Sequence, residues 1–580
     1  MRKHWCTITL LLLIGSLAMA QSKNVGDYSA LGVQTGKSGG SITMALQSNP
    51  VSFFYYSAID QPMQTIYQLA FDGLIEYNLR TYAIEPALAE SWTLTNGGTV
   101  YTFKLRRGVK WHDGTEFTAD DVIFTFNQVI FNPEARAGNV VTPTYGGKPV
   151  VFTKVDKYTV RATLAVPAPG FLTQMRTFIL PKHKLLRWSV EGGATRAEIN
   201  NAWPTSTDPK DVVGTGAFKL SSYTPSQRVV LTKNTDYWKK DSAGNDLPYL
   251  DQITFLIVSD PQAQVAQLLA GNLGYINASG AQFPDLKQRE VSGAPIRVLR
   301  SLQLFGGPNS TRYIFFNFDA KDKDLAELFR LSDFRRAIQF AVNRERVVDA
   351  AYNGLAQTPG HGMFTGSTWY FNTVNQLGRF DLQAAGALLE RIGVRGSSAG
   401  RTWKGKPLEF TLTYASDQSD YPAIAAILQN DLRQIGIKVN FQTVPFSQLL
   451  STGTSGNFEV ILGQFGDQPD PELRRPIWQP ANTLYYWHQT TVKDGKPVFE
   501  NFLPWEREIY NLWEQAGTTS SQTQRKALYD RWQSIIAREV MMIPLVKPES
   551  VAAHSNRYGN VLYNPMLIPG FNPVPLLFQR

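Results

Sequence analysis

Apolar and polar residues alternate along several stretches of the chain, and their spacing sets the elements. Tyr101, Phe103 and Leu105 alternate with Thr102 and Lys104, and Tyr158, Val160, Ala162 and Leu164 follow the same rhythm, so both stretches read as half-buried strands. Between them, Thr118 and Asp121 form a capping-box pair, with Asp120 and Asp121 near the positive helix end. Val122, Phe126, Val129 and Ile130 then line one helical face up to Pro133. Ser332 caps a second predicted helix, in which Phe334, Ala337, Ile338, Ala341 and Val342 form a buried stripe. Further on, Leu408, Phe410, Leu412 and Tyr414 predict a strand. Ile424, Ile427, Leu428, Leu432 and Ile435 predict a helix that Gly436 ends, and Ile437, Val439 and Phe441 a second strand. Strand, helix and strand in that order build a parallel crossover, so the fold class is α/β.

Length divides this pattern into parts. At 580 residues the chain exceeds one ordinary core of ~100–200 residues, so two or three domains are expected. Loop-rich segments at 36–41, 192–211 and 301–310 are the candidate boundaries. A composition of 43% hydrophobic and 18% charged residues is that of a packed globular protein. The 12% aromatic share supplies core rings and candidates for a binding cleft.

The N-terminus reads as an export signal. Arg2 and Lys3 precede an apolar stretch from Thr9 to Leu17, and Ala18-Met19-Ala20 offers small residues for cleavage near Ala20. The stretch is too short for a stable bilayer span. Cys6, the only cysteine, lies within this segment and ahead of most of the apolar run, where a lipid-modified cysteine would stand at the end; the mature chain is expected to carry no disulfide, thiolate metal site or lipid anchor. Loss of Arg2 and Lys3 takes the formal charge from +9 to +7. The remaining basic pairs, such as Arg106-Arg107 and Lys239-Lys240, are scattered, so no nucleic-acid surface is expected.

Local motifs for catalysis fail on context. Gly32 to Ser38 has three residues between its glycines, where a phosphate-binding loop needs four, and it precedes a strand at Ile42 to Leu46. Gly-x-Ser-x-Gly occurs at Gly36 and Gly396, in neither case between a strand and a helix. His112-Asp113-Gly114 reads as a turn, because neighbouring side chains point apart and Asp-Gly favours turning. No histidine lies within a helical turn of another, and Asp319, Asp322 and Asp324 lack calcium-loop spacing. A dispersed carboxylate pair is the enzymatic reading that stays open.

Longer segments carry a resemblance. Phe71-Asp72-Gly73-Leu74-Ile75, Pro86-Ala87-Leu88-Ala89-Glu90-Ser91-Trp92 and the run from Tyr101 through Trp111-His112-Asp113-Gly114 are similar to the signature of the family 5 extracellular solute-binding proteins of ABC importers, which include dipeptide- and oligopeptide-binding proteins. Gly214-Thr215-Gly216-Ala217-Phe218, Asn234-Thr235-Asp236-Tyr237-Trp238, Phe334-Arg335-Arg336-Ala337-Ile338, Leu432-Arg433-Gln434-Ile435-Gly436 and Met542-Ile543-Pro544-Leu545 extend it in order. The resemblance implies a type II (cluster C) periplasmic-binding-protein fold of two α/β lobes with a domain inserted in the first. Carried over by segment, residues 1–20 are the signal and 21–35 a linker. Lobe I comprises 36–73, 180–300 and 546–580, the inserted domain 74–179 and lobe II 301–545. It implies a periplasmic monomer that needs no cofactor, is not an enzyme, captures a small ligand by hinge closure and delivers it to ABC permease subunits.

The ligand implied is a peptide, with an oligosaccharide as the alternative. In Gly463-Gln464-Phe465-Gly466-Asp467-Gln468-Pro469-Asp470-Pro471, Asp467 falls where peptide-binding members place a carboxylate against the α-ammonium. Asp470 is either part of that site or the shaper of an Asp/Pro-rich turn. Gln464 stands where peptide binders commonly carry Trp, and no arginine lies just upstream. Phe446 takes the place of another ring, Asn49 offers an amide from lobe I, and Trp487, with Tyr485, Tyr486 and Trp478, offers rings for a sugar face.

Overall fold

The structure, a computed structural model, describes residues 33–561 and 574–580 except 57–60, 79–82, 133–134, 136–144, 303–309, 360–368, 373–376, 467, 469, 483, 490–491 and 494–495. The expected signal and nearly all of the expected linker lie outside these residues. No helix among the described residues is long and apolar enough to cross a membrane.

Alternation decides the sheets. Ile42, Met44 and Leu46 point one way from Ser41–Leu46 and are almost fully buried. That strand pairs in parallel with Gln252–Ile257, inside a sheet ordered Ile296–Leu302, Lys547–Ser555, Tyr275–Ala278, Ser41–Leu46, Gln252–Ile257, Arg228–Lys233 and Phe218–Thr224, with Ala356–Gln357 added on Lys547–Ser555. A second sheet orders Lys438–Val444, Glu409–Ala415, Val460–Phe465, Thr311–Phe316 and Ile543–Pro544. The expected crossover lies in it: Glu409–Ala415 and Lys438–Val444 run parallel, joined by the helix Tyr421–Gln434, and Gly436 turns the chain at φ +79°. A third, antiparallel sheet of Ala89–Thr95, Val100–Leu105, Thr159–Thr163 and Val151–Asp156 holds both strands expected around residues 101 and 160.

Three local expectations need adjustment. The capping box at Thr118 forms as expected, but after Ala119–Ile123 the helix widens into a π-helical stretch, Phe124–Ile130. Ser332 is the first residue of its helix, not the cap; Leu331 occupies the cap position without a side-chain bond. Phe441 is 39% exposed, because Lys438–Val444 is an edge strand of the second sheet.

Two large cores follow. One joins the first and third sheets, with Phe71 and Trp203 in the same cluster as Phe103 and Phe171. The other lies around the second sheet and includes Phe316, Trp478 and Trp532. The chain passes between these bodies once between Leu302 and Thr311 and again at Leu545 and Val546. The passages are paired: Arg312 N–H donates to the Val546 carbonyl and Leu545 N–H to the Arg312 carbonyl, both at 2.8 Å. A pair of adjacent strands is a hinge that resists shear while allowing the bodies to rotate.

Candidate functional site

The resemblance segments around Asp72, His112, Gly214 and Trp238 meet on one seam between the first and third sheets, while those at Phe334, Leu432 and Met542 lie in the second body's core. Asp72 accepts hydrogen bonds from Thr215 Oγ1 at 3.0 Å and Trp238 Nε1 at 2.9 Å. Burial raises the Asp72 pKa, and the nearby Lys239 charge opposes that shift. Gly214 must be glycine for packing reasons: a Cβ there would lie 1.7 Å from the Ala70 carbonyl oxygen. Asn234 Nδ2 donates to the Gly216 carbonyl at 2.9 Å.

His112 locks this seam. Gly214 N–H donates to its Nδ1 at 3.0 Å, so Nε2 must carry the proton that faces the Gly216 carbonyl at 3.0 Å. Its ring is therefore a neutral structural latch, and the turn expected at Asp113-Gly114 closes with Gly114 N–H on the Trp111 carbonyl. Burial holds the His112 pKa down at about 4, below its ordinary 6.5. On acidification the unfolded chain takes up this proton first, so the latch contributes fully above about pH 6.5 and loses roughly 3 kcal/mol as pH falls towards 4. Urea unfolding should show a lower midpoint at pH 4.5 than at pH 7. The fall should shrink in His112→Gln; an equal fall in both proteins would show that the latch does not titrate.

The second body presents a different arrangement at the end of Val460–Phe465. Antiparallel register sets Gln464 opposite Arg312, a buried cation in a fully buried strand. Arg312 Nε donates to Asp420 Oδ2 at 2.7 Å and Nη1 to the Ser310 carbonyl at 2.8 Å and to Gln464 Oε1. Tyr352 OH also donates to Asp420, and the Tyr421 ring lies 5.5 Å from the guanidinium. A guanidinium only donates, so the Gln464 amide must turn its oxygen inward and leave its N–H groups outward. Sequence spacing gives no sign of this pair, which lies 152 positions apart.

Asp467 lies outside the described residues. Asp470 is 7% exposed and takes a bidentate pair of hydrogen bonds from Arg525 at 2.7 and 2.6 Å, while its Oδ1 caps Glu472 N–H at 3.0 Å. Both readings of Asp470 left open by the sequence involve a turn or a site; its contacts here form the turn. Phe446 opens the helix Phe446–Ser455, half-buried, with its N–H donating to the Asp417 carboxylate. Asn49 belongs to the other body, where its Oδ1 accepts from Ser226 N–H at 2.7 Å and Tyr223 OH at 3.1 Å. Trp487 is fully enclosed, 4.4 Å from the Tyr485 ring, and Trp478, Tyr485 and Tyr486 are also buried. These four rings are core in this structure.

The bodies meet next to Asp470. A Cβ on Gly170 would come 2.9 Å from Glu472 Cβ, so these backbones approach at glycine distance. Tyr77 and Tyr101 of the first body are pushed up to about 12, chiefly by burial; Arg176 opposes the rise at Tyr77 and Arg525 at Tyr101, and the Asp470 carboxylate adds to it at both. Tyr55, Tyr77, Tyr101, Tyr145 and Arg176 thus stand on the first body's side, and Asp470, Glu472, Arg525 and Trp369 on the second. Single aromatic and basic residues on separate strands, helices and loops give no sequence signal for this convergence. Among the described residues, no cluster of three or more His, Cys, Asp or Glu is placed to hold a metal ion.

The family described as bacterial extracellular solute-binding proteins, family 5, matches residues 83–482, more than half of the chain. The chain belongs to that family. A periplasmic alpha-galactoside-binding protein of Rhizobium meliloti is 27% identical over 503 residues, covering 82% of this chain and 71% of that protein. The di/tripeptide-binding protein 1 of Pseudomonas aeruginosa is 27% identical over 530 residues, covering 88% and 87%. The crystal structure of an ABC transporter substrate-binding protein from Listeria monocytogenes superposes with a TM-score of 0.75 at 23% identity, covering 94% of this chain and all of that one. The chain thus has the bilobed α/β fold of type II periplasmic-binding proteins. As a family member it is an extracytoplasmic binding component that takes a small-molecule ligand and works with ABC permease subunits.

Proposed function

We propose that this protein captures short peptides between its two lobes and hands them to an ABC importer. The observation that carries this reading is the approach of two polar, aromatic faces beside Asp470, with contacts from both lobes available to favour a closed state. The peptide-binding relatives support it. The lobes are read as 36–73, 180–300 and 546–580 for the first, 74–179 for its insertion and 301–545 for the second. The reading includes export by a signal cleaved near Ala20, a periplasmic location and a monomeric state.

Asp467 is assigned to the peptide ammonium, with Gln464 offering N–H donors to a backbone carbonyl. A carboxylate facing an ammonium in a desolvated cleft discriminates strongly, since stranding one partner of such a pair costs about 3–5 kcal/mol. In calorimetric titration with alanyl-alanine, Asp467→Asn should bind at least roughly tenfold more weakly at an unchanged melting temperature, a loss modest beside that cost. Equal affinity would remove Asp467 from the site. Binding of raffinose, with no peptide bound, would favour an oligosaccharide, in line with the alpha-galactoside-binding relative.

A further inference from the structure

Arg176 stands on the first body's face of the cleft without an acidic partner. It follows the short helix Phe171–Gln174, whose preceding residue Gly170 touches Glu472 of the second body. Its backbone is fixed by close packing: a Cβ on Gly73 would lie 2.6 Å from the Arg176 carbonyl oxygen. Its guanidinium lies 5.5 Å from the Tyr77 ring centroid. Among the described residues it donates no side-chain hydrogen bond and forms no ion pair. The acid whose charge reaches it, Glu76, is already bound by Lys239.

Three arginines of the second body, by contrast, each hold a carboxylate. Arg525 has Asp470, Arg312 has Asp420, and Arg475 has Glu472. Burial disfavours the charged form of Arg176, and the neighbouring Tyr77 and Tyr55 only partly offset this. The residue is half-buried, so its five N–H donors face the cleft without an acceptor among the described residues and are open to an anion that enters it. Its planar fork fits a carboxylate in two-point contact, and aromatic surroundings hold the fork in place.

We propose that Arg176 receives a carboxylate of the bound ligand, so that the protein selects anionic or zwitterionic ligands over neutral ones. The inference rests on the interlobe reading of the site and deepens it. For a short peptide, the free C-terminus supplies that carboxylate. Because Arg176 belongs to the first body, the contact also ties the ligand's anionic end to that body, and contacts elsewhere on the ligand are left to the second.

The test pairs a charged and an uncharged version of two ligand classes: alanyl-alanine against its C-terminal amide, and trigalacturonic acid against raffinose. Calorimetry is run on the full chain and on Arg176→Met and Arg176→Lys. The free-acid dipeptide should bind at least a hundredfold more tightly than the amide; Arg176→Met should reduce that ratio to near one, and Arg176→Lys should retain part of it. Equal affinity of acid and amide for the unaltered protein would overturn the inference while leaving the peptide reading intact. Binding of trigalacturonic acid alone, lost in Arg176→Met, would sustain the inference and defeat the peptide reading. Binding of raffinose alone would defeat both. If Arg176→Met does not fold, the acid-to-amide ratio of the unaltered protein still decides.

Discussion

Replacing Arg525 with methionine should destabilise the protein by about 3–5 kcal/mol at neutral pH, an effect that comes from the carboxylate left behind. Both oxygens of Asp470 are held by Arg525, and both residues are under 10% exposed. Methionine fills much of the arginine's space beside Trp369 and Tyr529 but offers no donor. Asp470 would remain buried with its cap to Glu472 N–H as its main relief. The double variant Asp470→Asn with Arg525→Met should recover most of the loss, because asparagine can still cap and carries no charge to strand. Urea unfolding of the four proteins in this cycle measures it. A single variant as stable as the parent would mean that water reaches Asp470 and the pair contributes little.

Arg312→Met is expected to act on stability and recognition together. Asp420 would lose its ion pair at 2.7 Å, keeping Tyr352, and the expected cost is again about 3–5 kcal/mol. Gln464 would at the same time lose the donor that fixes its amide orientation. Gln464→Leu separates the effects: it should weaken ligand binding several-fold while moving the urea midpoint little. If Gln464→Leu lost stability and kept affinity, the amide would belong to the sheet and not to the ligand.

How much of this was legible in the sequence depends on the range of each interaction. The crossover from Leu408 to Phe441 was legible because the period of the pattern and Gly436 are local signals, and its strands pair Glu409 with Lys438 in parallel register as that order requires. Thr118 and Asp121 were legible for the same reason. The π-helical stretch was not, since an apolar face at Phe126, Val129 and Ile130 suits either hydrogen-bonding pattern. Phe441 followed the alternation yet lies exposed, because sheet order and not period decides which strand forms the edge.

The candidate site was legible only in part. The conspicuous rings Trp478, Tyr485, Tyr486 and Trp487 were offered for ligand stacking, yet composition cannot separate a cleft ring from a core ring, and all four are core. Arg312 and Gln464 are joined by strand register across distant positions. Arg176 becomes notable only when every neighbouring acid is seen to be committed elsewhere, a statement about three-dimensional partners that no single-residue pattern contains. The motifs carrying the family resemblance, by contrast, are local runs, and those around Asp72, His112 and Gly214 build the hydrogen-bonded seam of the first body.

Small-angle X-ray scattering of the ligand-free full-length chain, repeated with saturating alanyl-alanine, tests the two-lobe clamp most directly. The account predicts a smaller radius of gyration with peptide present, as the peptide draws the lobes into the arrangement in which Gly170 meets Glu472. Peptide binding proven by calorimetry in the same samples, with scattering curves that superimpose before and after, would contradict closure as the means of capture.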